Sequence, residues 1–480
     1  MIDNVANSDI ERLRDGIDAA WEEARKFGLD PFPTHFELVP ASIMYEFASY
    51  SLPGRFSHWT HGKAYYRQKM QYDLGLSKIY EMVVNTNPSY AFLMDMNNLL
   101  QNTFVAAHVF GHTDFFKNNA YFQNTSRRMI DKASIHAERI AKYEFDHGKN
   151  EVEHFLDAVL SIQEHIDYNL LLNSDNKADE EAKPVSTAYD DLWGLDNKAR
   201  KAEEERDLRP GKTPKFPEKP EKDLLLFLTR HAPMLEPWQR DILEIVRTEM
   251  LYFIPQMQTK VMNEGWASIW HSRIMREMGD KGLISDSETV EFAQLHSGVL
   301  TPSRTSLNPY YIGFKIFEDI ERRWDNPSRE EQDRLGRKPG LGRQKIFEVR
   351  ELDNDVSFLR NYLTEDLIKD LDLYLYKKEG DDWVIAEKNW EKVRDTIVGN
   401  MTNFGHPYLV VDNGDYKGNR ELYLMHLFEG QELDLNYAEK TLQHVYILWG
   451  RPVHLETVFE GKRILLTYDG ERNSKSSLEK

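Results

Sequence analysis

The chain contains no cysteine among its 480 residues. Disulfide bonds, thiolate nucleophiles, cysteine-ligated zinc and iron–sulfur clusters are therefore excluded. It also lacks an excess of basic residues: 61 lysines and arginines stand against 80 aspartates and glutamates, for a formal net charge of -19. Because nucleic acids and anionic membranes are polyanions, this charge argues against sequence-independent binding to either of them.

Other absences limit the cellular locations and the classes of cofactor that we expect. No apolar run approaches the roughly 20 residues that span a bilayer, and the start, MIDNVANSDIERLRDG, has no apolar core of a secretory signal. We therefore expect a cytoplasmic protein without a membrane span. The chain has no GxxxxGK[ST], GxGxxG or GxSxG sequence, so we expect no nucleotide cofactor and no nucleophile elbow.

The residues that are present predict a mainly helical N-terminal region. Apolar residues at helical spacing indicate several helices within 1–172, one of them covering SYAFLMDMNNLLQNTFVAAHVFGH from residue 89. Residues 173–221 are highly charged and contain five of the prolines, and we interpret them as an extended insertion or linker. Helical patterns return over 222–344, a region that we expect to pack on 1–172.

The C-terminal part has a different period. Over 345–472, three hairpin-like stretches alternate with two helices in a ββα-ββα-ββ series, which predicts a smaller α+β domain with antiparallel hairpins. Its sequence contains no catalytic grouping, so we expect a role in interaction or assembly. The last residues, 473–480, are predicted to form a disordered tail.

A histidine pair in the stretch FVAAHVFGHTDFFKNN is the first candidate metal site. His108 and His112 are four residues apart and would share one face of a helix. Zinc peptidases of the HExxH type use this spacing, with the glutamate after the first histidine as general base. Val109 occupies that position here. The alternative is a pair of hydrogen-bonded core histidines without a metal.

A second stretch adds a carboxylate. VMNEGWASIWH, residues 261–271, resembles the NEGxA helix that supplies the glutamate ligand of gluzincin peptidases, and Glu264 is the matching residue. This resemblance implies a gluzincin-like core in which His108, His112 and Glu264 hold a divalent metal. Nitrogen and oxygen ligands suit zinc first, with manganese or iron as alternatives. Without a metal, Glu264 would pair with a buried arginine or histidine.

A metal site without a base at residue 109 needs other groups to handle protons. By residue type and sequence position, Asp114, His271 and His296 are the candidates for proton transfer. Tyr310, in NPYYIGF, is a candidate donor to a developing oxyanion. Each of these side chains also has a structural alternative as a polar group of the core.

A rival set of histidines lies between the two motifs. Its members are separated by 11, 7 and 11 residues: His136, His147, His154 and His165. Glu151 and His154 also form one E-x-x-H unit, of which a di-iron bundle uses two. Because only one unit is present and Gly148-Lys149-Asn150 interrupts the pattern, we interpret the set as a polar face of an exposed helix.

Several longer stretches together resemble the stage V sporulation protein R (SpoVR) family. They are AHVFGHTDFFKNN, QTKVMNEGWASIWH, LHSGV and NPYYIGFKIFEDI, in this order, with WQRDILEIVR and SHWTHGK before them or between them. The resemblance covers essentially the full chain. It implies a cytoplasmic protein of the mother cell that is needed for the peptidoglycan cortex of the spore. It also implies a shared pathway with a serine protein kinase and a von Willebrand-type domain protein.

Two functions remain open at this point, because the resemblance implies no established reaction. The first is a regulatory or assembly protein of sporulation, and the second is a metal-dependent hydrolase with a His/His/Glu site. An enzyme would bring His108, His112 and Glu264 within common reach of one ion, with an open coordination position. An assembly protein could bury the same side chains in a closed hydrogen-bond network. Neither the substrate nor the oligomeric state follows from the sequence.

Overall fold

The computed structural model describes residues 2–73, 81–171, 215–302, 306–380 and 382–478. The chain is mostly helical and divides into two compact units. The first unit consists of Met1–Lys142 and Tyr252–Gly405, and the second of Tyr143–Leu251 and His406–Lys480. No helix in the described ranges is long and apolar enough to cross a membrane. Residues 173–214 of the predicted insertion lie outside the described residues.

The elements are numbered here in chain order. The first half contains α1 (Ile2–Lys26), β1 (Thr34–Val39), α2 (Ala41–Tyr50), α3 (Trp59–Asp73), β2 (Glu81–Val84), β3 (Ser89–Met94), α4 (Leu99–Asn118), α5 (Met129–His147) and α6 (Lys149–Leu160). The middle contains α7 (Leu224–His231), α8 (Pro237–Gln258), α9 (Lys260–Asp280), α10 (Asp286–Val299), α11 (Pro309–Asp325), α12 (Arg329–Leu335), α13 (Gly342–Leu352), α14 (Asp355–Tyr362) and α15 (Glu365–Asp370).

The C-terminal elements include most of the strands. They are β4 (Leu375–Glu379), β5 (Asp382–Glu387), α16 (Trp390–Met401), β6 (Leu409–Tyr416), β7 (Glu421–His426), α17 (Leu435–Trp449), β8 (Val453–Phe459), β9 (Lys462–Tyr468) and β10 (Asn473–Ser477). The five strands β6 to β10 form one sheet in the order β10-β9-β8-β7-β6. Only β7 and β8 pair in parallel, since α17 connects them, and the other neighbours are antiparallel.

The first unit contains a small sheet that the helical prediction for 1–172 did not include. Its strand order is β1-β3-β2, with β1 parallel and β2 antiparallel to β3. The stretch SYAFLM, predicted as the start of a long helix, is the central strand β3, and α4 begins only at Leu99. A short, continuous apolar run has neither helical nor alternating periodicity, so the pattern does not distinguish a buried strand from a helix.

The C-terminal region differs from the predicted single domain in two places. The hairpin β4–β5 is a separate two-stranded sheet in the first unit, where the following helix α16 packs against α14. The part of the chain that contains the five-stranded sheet begins at His406, whereas the pattern suggested a boundary at 345. The expected disordered tail begins with β10, which pairs with β9.

Three helices form the centre of the first unit. α9 packs against α4 on one side and against α11 on another, and α1 packs against α4 and α9. Large apolar side chains fill the space between these helices, among them Phe110, Trp266, Trp270 and Phe317. This arrangement matters for function because α4, α9 and α11 carry the candidate site residues.

Candidate metal centre

The histidine pair lies on α4, in which residues 102–116 are all buried. The helix begins with a capping box in which the Asn98 side chain accepts the Gln101 N–H and the Gln101 side chain accepts the Asn98 N–H. His108 and His112 are each 4% exposed, and their ring centroids are 4.5 Å apart. The two imidazoles therefore share one face of the helix, as the spacing predicts.

A glycine lets α4 and α9 approach closely enough to bring Glu264 to the histidines. A Cβ atom on Gly111 would lie 2.6 Å from the Cα atom of Ala267, which is too close for any real side chain. At this crossing, Glu264 Oε2 lies 3.5 Å from His108 Nε2 and 3.4 Å from His112 Nε2. The three predicted ligands thus meet at one point.

The start of α9 is held by a carboxylate from α14. Asp355 accepts the backbone N–H of Val261 at 2.8 Å and that of Met262 at 2.9 Å. Burial raises the pKa of Asp355 to about 7, and the two N–H groups act against this shift. The contact satisfies two otherwise free N–H groups of the first helical turn and fixes the helix just before Glu264.

The start of α11 places Tyr310 beside the histidines. Asn308 caps this helix and accepts the N–H of Tyr310 at 3.0 Å. Gly265 and Gly313 form the crossing between α9 and α11, since a Cβ atom on Gly265 would meet the Gly313 carbonyl carbon at 2.3 Å. The Tyr310 ring then stacks on that of His108, with 5.9 Å between the ring centroids and 25° between the ring planes.

A fourth ionisable side chain, that of Glu81, reaches the cluster from β2. Glu81 Oε1 lies 3.9 Å from His108 Nε2, and one ligand atom each from Glu81, His108 and His112 can be chosen within 4.8 Å of one another. The sequence prediction missed Glu81, because the four-residue strand EMVV has no motif and its position depends on sheet pairing. The cluster is therefore two histidines and two glutamates, and within it Glu81, His108 and His112 form a group that could hold a metal ion.

The distances within the cluster fit ligands around a metal ion better than direct hydrogen bonds between the side chains. His108 Nε2 and Glu264 Oε2 are buried and have no hydrogen-bond partner within the described ranges. Their separation exceeds the usual 2.7–3.2 Å of an N–H···O bond. Ligand bonds of about 2.1 Å in a tetrahedron place neighbouring ligand atoms about 3.4 Å apart. The separations of 3.4 and 3.5 Å between Glu264 Oε2 and the two imidazole nitrogens match this geometry.

The second nitrogen of each histidine has a partner that would orient it as a ligand. His112 Nδ1 lies 2.9 Å from Asn263 Oδ1. An amide oxygen only accepts hydrogen bonds, so the proton of a neutral His112 is on Nδ1 and its Nε2 lone pair faces Glu264. Such an outer partner fixes the tautomer and orientation of a histidine ligand.

A chain of imidazoles extends from His108. Its Nδ1 lies 2.8 Å from His271 Nδ1, and His271 Nε2 lies 2.8 Å from His296 Nδ1. If His108 holds an ion through Nε2, its proton is on Nδ1 and is donated to His271, which then donates its own Nε2 proton to His296. His271 is completely buried, whereas His296 is 9% exposed. These two predicted residues thus lie behind the ligands rather than at the ligand atoms.

Burial and neighbouring charges shift the pKa values of the side chains in this cluster in different directions. Burial lowers the pKa of His112 to about 4, and the charge of His108 acts in the same direction. Burial also opposes the charge of His108, but Glu264 and Glu81 raise its pKa above the ordinary value. Burial raises the pKa of Glu81. The negative charge of Glu264, followed by burial, raises the pKa of Tyr310 well above its usual range.

Asp114 is the one predicted proton-transfer residue that the structure does not bring to the cluster. Its Oδ1 accepts the backbone N–H of Asp30 at 2.7 Å, and its Oδ2 accepts the indole N–H of Trp266 at 2.8 Å. Arg350 Nη1 lies 3.5 Å from Oδ2. Asp114 is thus a buried carboxylate that ties α4 to α9 and α13.

The rival histidines do not follow one continuous helix. Gly148, with a φ of 95°, separates α5 from α6. His147, at the end of α5, stacks on Trp238 with a ring-centroid distance of 4.7 Å. His154 is exposed on α6, whereas His136 is buried on α5. The set therefore has no common polar face.

Comparisons with known proteins relate the chain to one family over nearly its whole length. A family model described as "SpoVR like protein" matches residues 7–406, and one described as "SpoVR-like C-terminal domain" matches residues 407–460. The chain is 29% identical over 489 residues to "Uncharacterized protein YcgB" of Escherichia coli (strain K12), with 94% of each chain covered. No solved structure matches.

Proposed function

This chain belongs to the SpoVR-like protein family, and we propose that it is a metal-dependent hydrolase whose ion is held by His108, His112 and Glu264. The observation that carries this proposal is the set of separations of 3.4 and 3.5 Å between buried ligand atoms, two of which lack a hydrogen-bond partner within the described ranges. A buried polar atom without a partner is costly, so an additional positively charged partner accounts for this arrangement.

The ligand set supports a gluzincin-like centre with a relocated base. Two histidines on one helix and a glutamate on another reproduce that ligand pattern, but Val109 has no proton-accepting group. Glu81 supplies a carboxylate from the sheet instead, 3.9 Å from His108 Nε2. We therefore assign the base function to Glu81. Zinc is the ion that this set of two nitrogens and carboxylate oxygen suits first.

We assign separate roles in the hydrolysis of an acyl substrate to the side chains of the site. His108, His112 and Glu264 would hold a divalent ion, which would polarise the substrate carbonyl and lower the pKa of the attacking water. Glu81 Oε1 accepts a proton from the attacking water while the water oxygen adds to the carbonyl carbon. The Tyr310 hydroxyl donates a hydrogen bond to the resulting oxyanion. The bond between that carbon and the leaving group then breaks, and the proton passes from Glu81 to the leaving group.

We propose that the protein acts in sporulation, and more narrowly in formation of the spore cortex. We also propose that it is located in the cytoplasm of the mother cell. The family description supports sporulation. The motif resemblance supports the cortex, as well as a serine protein kinase and a von Willebrand-type domain protein as partners. A regulatory or assembly role is the second candidate. It is favoured by the five-stranded sheet, whose strands β6 to β8 lie within a separate family match and whose described residues contain no metal-ligating cluster.

Elemental analysis of the purified protein tests the metal site. The wild-type chain should carry about one equivalent of zinc, manganese or iron, and His108→Ala and Glu264→Ala should lose it. His154→Ala is the matched control, because His154 is an exposed histidine on another helix. Absence of metal from every preparation, or equal metal in wild type and both ligand variants, would rule out the proposed centre.

Glu81→Gln separates a base from a fourth ligand. Glutamine keeps the size of the side chain but accepts no proton, so this variant should retain the bound ion and lose hydrolysis. If elemental analysis shows that the ion is lost as well, Glu81 is a ligand and the assignment of the base is wrong.

A further inference from the structure

The strand that carries Glu81 lies at one edge of the small sheet, next to β3. The hydrogen bonds of β3 show which way its backbone groups point. Ser89 and Asp95 donate their N–H groups at 2.8 and 3.1 Å to carbonyl groups of the β1 segment. Backbone groups alternate sides along a strand, so Tyr90 and Phe92 direct theirs toward β2.

The register of the pair then fixes the directions in β2. Val84 is opposite Tyr90, and Met82 is opposite Phe92. Met82 and Val84 therefore form the hydrogen bonds to β3. The N–H and C=O groups of Glu81 and Val83 point to the outer side, where β2 has no partner strand within the described part of the chain.

The residue after β2 gives an independent check. Asn85 has the same parity as Val83, and its N–H donates away from β3 to the Tyr252 hydroxyl at 3.1 Å. This contact closes the outer side at Asn85. The open part of the edge is therefore limited to Glu81 and Val83.

The open edge ends at the metal-ligating cluster. Side chains also alternate along a strand, so Glu81 and Val83 share one face, and Val83 packs against the core that contains Phe104 and Val105 of α4. His108 of the same helix is 96% buried, and its Nε2 atom has no hydrogen-bond partner in the described ranges. Two residues of a strand span about 7 Å, so the outward groups of Val83 lie within one or two peptide units of the cluster.

We propose that the outer edge of β2 binds an extended peptide substrate through its main chain and places one of its carbonyl groups at His108, His112 and Glu264. This inference rests on the proposed function. The outward N–H and C=O groups alternate with the repeat of another extended backbone, which a sugar or a nucleotide does not reproduce. The reaction is hydrolysis of an amide: water adds, the C–N bond breaks, and the products are a carboxylic acid and an amine that takes the proton.

The test compares three hydroxamates, which chelate metal, by calorimetric titration of the metal-loaded chain. Acetohydroxamate reports the metal site alone, and tri-alanine hydroxamate adds a short backbone. A tri-alanine hydroxamate with every internal amide N-methylated keeps the side chains but cannot donate main-chain hydrogen bonds. We expect tri-alanine hydroxamate to bind about tenfold more tightly than acetohydroxamate, and N-methylation to remove this gain.

Val83→Pro tests the same contact from the protein side. Proline removes only the outward N–H, so the hydrogen bonds between β2 and β3 remain. The variant should bind acetohydroxamate like wild type and lose the tenfold gain for tri-alanine hydroxamate. Val83→Ala, which keeps the N–H, is the matched control and should retain the gain. An unchanged melting temperature confirms that Val83→Pro is folded.

The outcomes distinguish this inference from the proposed function. If acetohydroxamate binds but the peptide gives no gain, or if Val83→Pro or N-methylation leaves the gain intact, the peptide edge is wrong while the metal site stands. If acetohydroxamate does not bind, the proposed function fails. Hydrogen exchange of Val83 N–H then decides about the edge: protection by tri-alanine amide supports it, and unchanged exchange overturns it.

Discussion

Buried histidines in the two units have opposite hydrogen-bonding environments. In the second unit, His454 Nδ1 lies 2.8 Å from Thr467 Oγ1, and its Nε2 lies 2.9 Å from Glu421 Oε2. In the first unit, Nε2 of His108 and of His112 lie 3.5 and 3.4 Å from the same carboxylate oxygen. The environment of His454 is a closed hydrogen-bond network. The environment of His108 and His112 has the separations of ligands around an ion, so distance rather than burial distinguishes the two kinds of site.

The two environments are built by different means. His454 and Thr467 are directly opposite each other on β8 and β9, so strand register alone closes their contact. The distances around Glu264 depend instead on a helix crossing at Gly111, where α4 and α9 touch through their backbones. Changes at the crossing should therefore affect metal binding, and changes on the sheet should not.

The largest effect is expected from Gly111→Ala. The added Cβ atom would lie 2.6 Å from the Ala267 Cα atom, and only a shift of a whole helix can relieve this contact. We expect zinc affinity to fall by about 100-fold or more and the free energy of unfolding to fall by about 1–3 kcal/mol. Competition with a chromophoric chelator and thermal unfolding measure the two effects.

Gly399→Ala is the matched control for this substitution. Gly399 is on α16, and a Cβ atom there has no neighbour within 4 Å. It should leave zinc affinity unchanged and raise stability by up to about 1 kcal/mol, because alanine favours helix over glycine. Equal zinc affinity in the Gly111 and Gly399 variants would show that the crossing does not set the ligand distances.

A smaller effect is expected from Asn263→Ala. This change removes the acceptor 2.9 Å from His112 Nδ1 but leaves all ligand atoms in place. Loss of such an outer partner should lower zinc affinity by about 10–100-fold. Thr467→Val is the counterpart on the sheet, and it should cost about 1 kcal/mol of stability without changing zinc affinity. If the two variants bind zinc equally well, Asn263 does not orient the ligand.

The smallest effect is a dependence of stability on pH at the closed site. Burial lowers the pKa of His454, although Glu421 acts against the shift. The unfolded chain therefore binds a proton more readily than the folded chain does. The contribution of neutral His454 to stability is complete above the unfolded pKa of about 6.5 and is lost as the pH falls. The melting temperature of the second unit should decrease between pH 7 and pH 5, and by about 2 °C less in His454→Gln. An identical decrease in both proteins would contradict this role of His454.

The sequence contained enough information to bring together three members of the cluster. His108, His112 and Glu264 lie in local patterns that specify both residue type and helical face, and the structure brings them to one point. Glu81 was not predictable in this way. It reaches His108 only because β2 pairs with β3, and sheet pairing is a long-range property that the four residues EMVV do not encode.

The fold shows the same limit of local patterns. Helices with clear periodicity were predicted, whereas SYAFLM was assigned to a helix because a fully buried strand has no alternation. The hairpin β4–β5 resembles the later hairpins in sequence, but it pairs with no other strand of the described residues. Which partner a hairpin packs against depends on the folded chain, so the pattern suggested a domain boundary at 345 and did not predict the one at His406.

X-ray anomalous scattering at the zinc edge tests the central claim most directly. Crystals of zinc-loaded protein should give one strong peak in the first unit, about 2.0–2.2 Å from His108 Nε2, His112 Nε2 and Glu264 Oε2. His454 provides the internal reference, because its nitrogens already have partners at 2.8 and 2.9 Å. No peak at Glu264 under saturating zinc, or an equal peak at His454, would contradict the assignment of this cluster as a metal centre.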